Sequence, residues 1–281
     1  MSLHIVTDST CDVSQHAAKE MGVTILPLQI LIDGKTYLDG IDIRNDEFFK
    51  YLRTAKELPK TAQVSVETFQ KTFDSFPHDD EVLVILISSL LSGTYQAALL
   101  AKSLSTHPNI TIYDSMQATM GLGALVYAAV QFRDQGLNAA TIITHLQEIT
   151  PRMVLEAGFD DLRYLKMGGR IPGALTTILG TLNLKPIITM KNGKIHMASA
   201  TIGMARAMLH MINRLKKTEV DFTLPAFIGH TDTPEQFEKF KQLVHKANPN
   251  FPVNNQMSVG ATVGSHAGPG CVAIVYFEKK K

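Results

Sequence analysis

The chain has 281 residues, enough for one large domain or two of ordinary size. Its 27 Lys and Arg against 26 Asp and Glu leave a net charge of +1, which argues against a nucleic-acid binder, and a hydrophobic fraction of 45% is too high for disorder. The apolar run Val82 to Ile87 spans six residues, far below a membrane span, and the opening MSLHIVTDST has neither the basic nor the apolar stretch of a signal peptide. Cys11 and Cys271 lie far apart and read as reduced core thiols, so the expected setting is the cytoplasm.

Strand-length apolar runs alternate with helical patterns through the first half. Leu3 to Val6 reads as a strand running into Thr7-Asp8-Ser9-Thr10, residues suited to a turn or a helix cap. Ile25 to Ile32 reads as a second strand, followed by the hairpin signal Asp33-Gly34 and a partner at Lys35 to Leu38. Val66, Phe69, Phe73 and Phe76 fall at helical spacing behind Ser65, a capping residue type. Val82 to Ile87 is continuously apolar, as in a parallel strand buried on both faces. A helix from Gly93 to Ser103, a strand at Ile110 to Tyr113 and helices at Ala118 to Phe132 and Asn138 to Ile149 follow.

This alternation predicts a doubly wound parallel α/β domain over residues 1–150, with the boundary near Pro151. Residues 151–281 read as an α+β domain. Lys185 to Met190 and Ile195 to Ala198 flank the Asn192-Gly193 turn of an antiparallel hairpin. Helices at Met204 to Leu215 and Glu235 to Val244 surround a strand at Ala226 to Gly229, and Val272 to Phe277 forms a last strand.

Several chemistries lack their signatures. There is no phosphate-loop motif and no H-E-x-x-H, and the ten histidines show no metal-ligand spacing. Gly121-Leu122-Gly123 lies inside a helical pattern without the third glycine of a dinucleotide site, so helix packing explains it better. Four polar segments remain, three of them bearing glycine. Ser88 to Thr94 follows the most buried strand, where open parallel sheets bind ligands and where a helix N-terminus attracts an anion. There, Ser92 is as easily a simple helix cap. Lys60 to Ser65 is extended and carries Thr61. Asp160 to Ile171 ends in a Gly-Gly pair that terminates a short helix and presents Arg170. Gly264 to Gly270 reads as a loop between strands carrying His266, a stronger site candidate than a histidine on an apolar face.

The segments TDST, SSLLSGTYQAA, DDLRYLKMGGRI and SHAGPG occur in that order along nearly the whole chain. Together they resemble the DegV family, bacterial fatty-acid-binding proteins that include the binding subunit of fatty acid kinase. The resemblance implies two α/β domains enclosing one long-chain fatty acid, such as palmitate. It implies that Thr61, Ser92 and His266 hold the carboxylate with backbone support at Gly93 and Thr94. It also matches Arg170 to the position that engages the kinase. The partners so implied are the fatty acid and a separate kinase subunit, with no nucleic acid, metal or cofactor and at most transient membrane contact. Two segments depart from the usual pattern. PKTAQVS stands where relatives commonly have a second Thr or Ser and a Pro, and LKMGGR stands where a second basic residue usually follows the lysine.

Three functions compete on these residues. A non-catalytic carrier needs a carboxylate site and an apolar cavity but no nucleophile. A serine hydrolase acting on acyl esters would use Ser92 as nucleophile and His266 as base, yet Ser92 lacks the G-x-S-x-G elbow. A nucleotide-binding regulator lacks its phosphate loops. The carrier accounts for most of the motifs.

Overall fold

The computed structural model describes residues 2–170 and 183–280; Ile171, the last residue of the Gly-Gly segment, and Lys281 lie outside them. The first half contains β1 (Leu3–Asp8), α1 (Gln15–Glu20), β2 (Val23–Leu26), β3 (Gln29–Ile32), β4 (Lys35–Leu38), α2 (Asn45–Thr54) and β5 (Lys60–Ala62). It continues with α3 (Val66–Asp74), β6 (Glu81–Leu86), α4 (Thr94–Leu104), β7 (Ile110–Asp114), α5 (Thr119–Asp134) and α6 (Ala139–Ile149). The second half holds β8 (Met153–Gly158), α7 (Arg163–Met167), β9 (Leu184–Lys191), β10 (Lys194–Ile202) and α8 (Met204–Lys217). It ends with β11 (Phe227–Thr231), α9 (Pro234–Ala247), β12 (Gln256–Ser258), α10 (Ala261–Ala267) and β13 (Cys271–Phe277).

A parallel sheet of order β2-β1-β6-β7 forms the centre of the first half. Side chains alternate across a strand, and β6 shows the consequence. Leu83 and Ile85 pack with α5 and α6, whereas Val82, Val84 and Leu86 pack with α3 and α4. Both faces are covered, so the strand is apolar throughout and the domain is doubly wound. Ser65 caps α3 by accepting from Thr68 N at 3.0 Å, as its position predicts.

The second half carries a mixed sheet of order β10-β9-β8-β13-β11-β12. In β13, Val272, Ile274 and Tyr276 face α8 and α9, while Ala273, Val275 and Phe277 face α5. Helix α5 therefore lies between the two sheets and is apolar on every side, with ten buried residues. Its glycines are packing residues: a Cβ at Gly123 would stand 2.4 Å from the Cys11 carbonyl oxygen. The β9–β10 turn has Asn192 and Gly193 at φ 50° and 74°, the two positive values an Asn-Gly hairpin requires. That turn reaches back to the first half, where Ser88 Oγ donates to Gly193 O at 2.7 Å.

Two expectations fail. The single strand at Ile25 to Ile32 is two, β2 and β3, separated by Pro27 and Leu28 and assigned to different sheets. Proline has no N–H to give a ladder, so it sits at the break. Strand β3 instead joins a three-stranded sheet of order β4-β3-β5. The second failure is the loop carrying His266, which is the last turn of α10. Its glycine and β-branched residues hide the helix, whose first turn is held by groups distant in sequence.

Candidate functional site

The carboxyl ends of β1 and β6 open onto a cavity of about 360 Å³ that the mixed sheet closes from the other side. Thr61, Ser92, Gly93, Arg170 and His266 all line it. They arrive from four separate places in the sequence. Thr61 is set by β5, where it pairs with Ile30 of β3. Ser92 and Gly93 lie between β6 and α4, with Gly93 as the residue capping that helix. Arg170 follows the Gly168-Gly169 end of α7, where Gly169 adopts φ 70°. His266 comes from α10.

The structure joins the first and last of these directly. Thr61 Oγ1 and His266 Nε2 are hydrogen-bonded at 2.9 Å across 205 residues of sequence. The other ring nitrogen, Nδ1, is buried and has no partner. It packs against Gly168, where a Cβ would come within 2.1 Å of it. That glycine therefore makes room for the imidazole. Burial, aided by the charge of Arg170, pushes the His266 pKa down to about 4. The ring is neutral at pH 7.

Ser92 Oγ bonds Thr94 Oγ1 at 2.9 Å and accepts from Thr94 N at 3.3 Å. Thr94 itself is fully buried and does not line the cavity, so its backbone N–H faces Ser92 rather than a ligand. Ser92 and His266 do not bond each other, and no carboxylate orients the imidazole among the described residues. The relay of a serine hydrolase is therefore not assembled. Arg170 is exposed at the cavity margin, its Nη1 donating to Gly168 O at 2.6 Å.

Sequence reading missed Gln63. It lines the cavity beside Thr61, and a Cβ at Gly93 would meet its Oε1 at 2.0 Å. The signal was available: residues two apart on extended chain share a face. Away from these polar groups the wall is mostly apolar, with Leu28, Leu155, Phe159, Ile188 and Met190 among its residues, interrupted by several threonines such as Thr189 and Thr231. Cys271 also lines it, and burial pushes that thiol far above its usual range. No group of three or more His, Cys, Asp or Glu among the described residues is arranged to hold a metal. No helix among them is long and apolar enough to cross a membrane.

Comparison with known proteins agrees along the whole length. The family model described as "Uncharacterised protein, DegV family" matches residues 2–279. A DegV domain-containing protein of Caldanaerobacter subterraneus subsp. tengcongensis is 34% identical, covering 98% of each chain. One from Deinococcus radiodurans is 30% identical, again over 98% of each. Among solved structures, a DegV family protein from Thermus thermophilus, described by its fatty acid binding, superimposes with a TM-score of 0.88 at 28% identity, over 99% of this chain and 100% of that one. A stearic-acid-binding protein from Eubacterium ventriosum gives 0.89 at 28% identity, over 99% of both chains. With its doubly wound parallel sheet, its mixed second sheet and these relatives, the chain belongs to the DegV family.

Proposed function

We propose that this protein is a non-catalytic carrier that encloses one long-chain fatty acid and presents its carboxylate to a separate kinase. The observation that carries the reading is the cavity: mostly apolar along its wall, with Thr61, Ser92 and His266 among its polar groups. The fatty acids described for the Thermus and Eubacterium proteins support it. In this reading His266 Nε2–H donates to Thr61 Oγ1, freeing the Thr61 hydroxyl to donate to the carboxylate. Ser92 supplies a second hydroxyl, and Gln63 lies alongside. A neutral imidazole suits the role, because it adds a donor without burying a second charge.

The acyl chain supplies most of the affinity. At about 0.8 kcal/mol per buried CH₂, a sixteen-carbon tail gains on the order of 10 kcal/mol before the costs of association. Arg170 stands at the margin and is assigned to the partner, as a fork suited to a carboxylate or phosphate. The two domains, 1–150 and 151–281, each contribute one wall. The test is mass spectrometry of lipid released by denaturing the purified protein. A long-chain fatty acid is expected in near-stoichiometric amount. Absence of lipid, together with no palmitate binding by delipidated protein, refutes the reading.

A further inference from the structure

Helix α10 is seven residues long, begins at a glycine and has no side-chain cap of its own. Gly264, Thr262 and Val263 are poor helix formers, and a segment this short does not hold itself together in water. Its first N–H groups are satisfied from the opposite half of the chain. Gly260 N donates to Asp12 Oδ1 at 2.8 Å, and Ala261 N donates to Asp39 Oδ1 at 3.1 Å. Both carboxyl groups are buried, at 8% and 2% exposure, and neither pairs with a cation among the described residues. Each is itself held. Asp12 Oδ2 is bonded to Thr119 Oγ1, and Asp39 Oδ2 accepts from Ser9 Oγ at 2.8 Å. Neither Asp12 nor Asp39 lines the cavity.

Burying acidic groups without a cation is costly, and apolar side chains would pack the same space with less penalty. What the carboxyl groups uniquely provide is a pair of acceptors aimed at one helix start. His266 lies five residues beyond Ala261, a rise of about 7.5 Å along the same helix. At that end the ring is confined: Gly168 leaves its space on one side and Thr61 bonds Nε2 on the other. A shift of α10 along or about its axis therefore moves His266 away from Thr61.

We propose that Asp12 and Asp39 are positioning residues of the carboxylate site, holding the first turn of α10 so that His266 stands against Thr61. The proposal rests on the fatty-acid reading above and names what aligns its binding groups. They act at a distance from the ligand, through the helix.

The test is a double-mutant cycle on palmitate affinity, measured by calorimetric titration of delipidated protein. Asp39→Ala should weaken binding about tenfold in the wild-type background and less than twofold in a His266→Ala background, because the helix then carries nothing to align. Asp39→Asn keeps the Oδ1 acceptor and should restore affinity to within threefold. In ligand-free protein, the ¹⁵N shift of His266 Nε2 should move in Asp39→Ala and return in Asp39→Asn. Should Asp39→Ala fail to fold, Ser9→Ala enters the same cycle: it removes the bond that orients Asp39, and the bond Ser9 Oγ accepts from Leu28 N at 3.1 Å is lost equally in both backgrounds and cancels. A loss of about threefold is then expected with His266 present and none without it. Equal losses in both backgrounds, or no loss in either, overturn the proposal. A wild-type protein that binds no palmitate overturns the fatty-acid reading instead, which keeps the two failures distinct.

Discussion

At the scale of single residues, burial sets the protonation of His266 in the site and of Asp12 behind it. Asp12 is pushed up to about 8 by desolvation, so the folded protein keeps this proton through a range in which the unfolded chain, near 3.9, has released it. Its contribution to stability is full below pH 4 and is lost as pH rises through 8. His266 is the reverse case, held neutral down to about 4 against about 6.5 in the unfolded chain. Its contribution is full above pH 6.5 and is lost as pH falls towards 4. Between 6.5 and 8 Asp12 is unopposed by His266, so the melting temperature of ligand-free protein should rise as pH is lowered across that window. Asp12→Asn should flatten this slope, and an unchanged slope in the variant refutes the assignment. Ser92 offers a second residue-scale test. Ser92→Ala should weaken fatty-acid binding by roughly 1.5–3 kcal/mol, the range for a hydrogen bond to a charged group. Because Ser92 also bonds Thr94, the melting temperature of the free variant must be recorded. Lost stability with unchanged affinity would reduce Ser92 to an ornament of α4's first turn.

At the scale of elements, α5 shows how packing overrules propensity. Alanine is favoured over glycine in a helix by about 1 kcal/mol, so Gly123→Ala judged on α5 alone looks stabilising. The new Cβ would meet the backbone oxygen of Cys11 at 2.4 Å and the Met257 methyl at 2.8 Å. The methionine has rotamers to spare, but the carbonyl belongs to the short 3-10 turn Ser9–Cys11 that leads into Asp12. Overpacking of this kind costs typically 1–3 kcal/mol, so the variant should be less stable by urea unfolding. A variant as stable as the parent would show that this turn yields.

For the whole molecule, the carrier reading makes the ligand part of the stability. An acid bound at a hundred times its Kd stabilises by about 2.7 kcal/mol. For a chain of this size each kcal/mol moves Tm by roughly 2–4 °C. Delipidation should therefore lower Tm by about 5–10 °C and added palmitate should restore it; no shift would mean the cavity stays empty. On the same reading, Arg170 serves the handing over and not the holding. As an exposed charge it is worth at most about 1 kcal/mol to the bound carboxylate, so Arg170→Ala should keep affinity within about fivefold while sharply reducing phosphorylation by a cognate kinase. Undiminished phosphorylation removes Arg170 from the transfer step.

Much of this was legible in the sequence, for local reasons. The continuous apolar run at Val82 to Ile87 announces a strand covered on both faces, and Ser65 and Asn192-Gly193 carry their cap and turn in their own chemistry. The parallel sheet and the Asn-Gly hairpin follow from such signals, because backbone preference and side-chain period act over a few residues. Nothing local separates β2 from β3 beyond Pro27, since the sheet each joins depends on strands elsewhere. The same holds for α10. Read alone, Ala261 to Ala267 is glycine and β-branched residues; as folded, it is a helix because Asp12 and Asp39 supply the acceptors its N–H groups need. Thr61 and His266 were nameable from the chain, but their 2.9 Å contact exists only once β5 and α10 are brought together. Short-range chemistry wrote the elements; the site required their packing, because a hydrogen bond spanning 205 residues has no local cause.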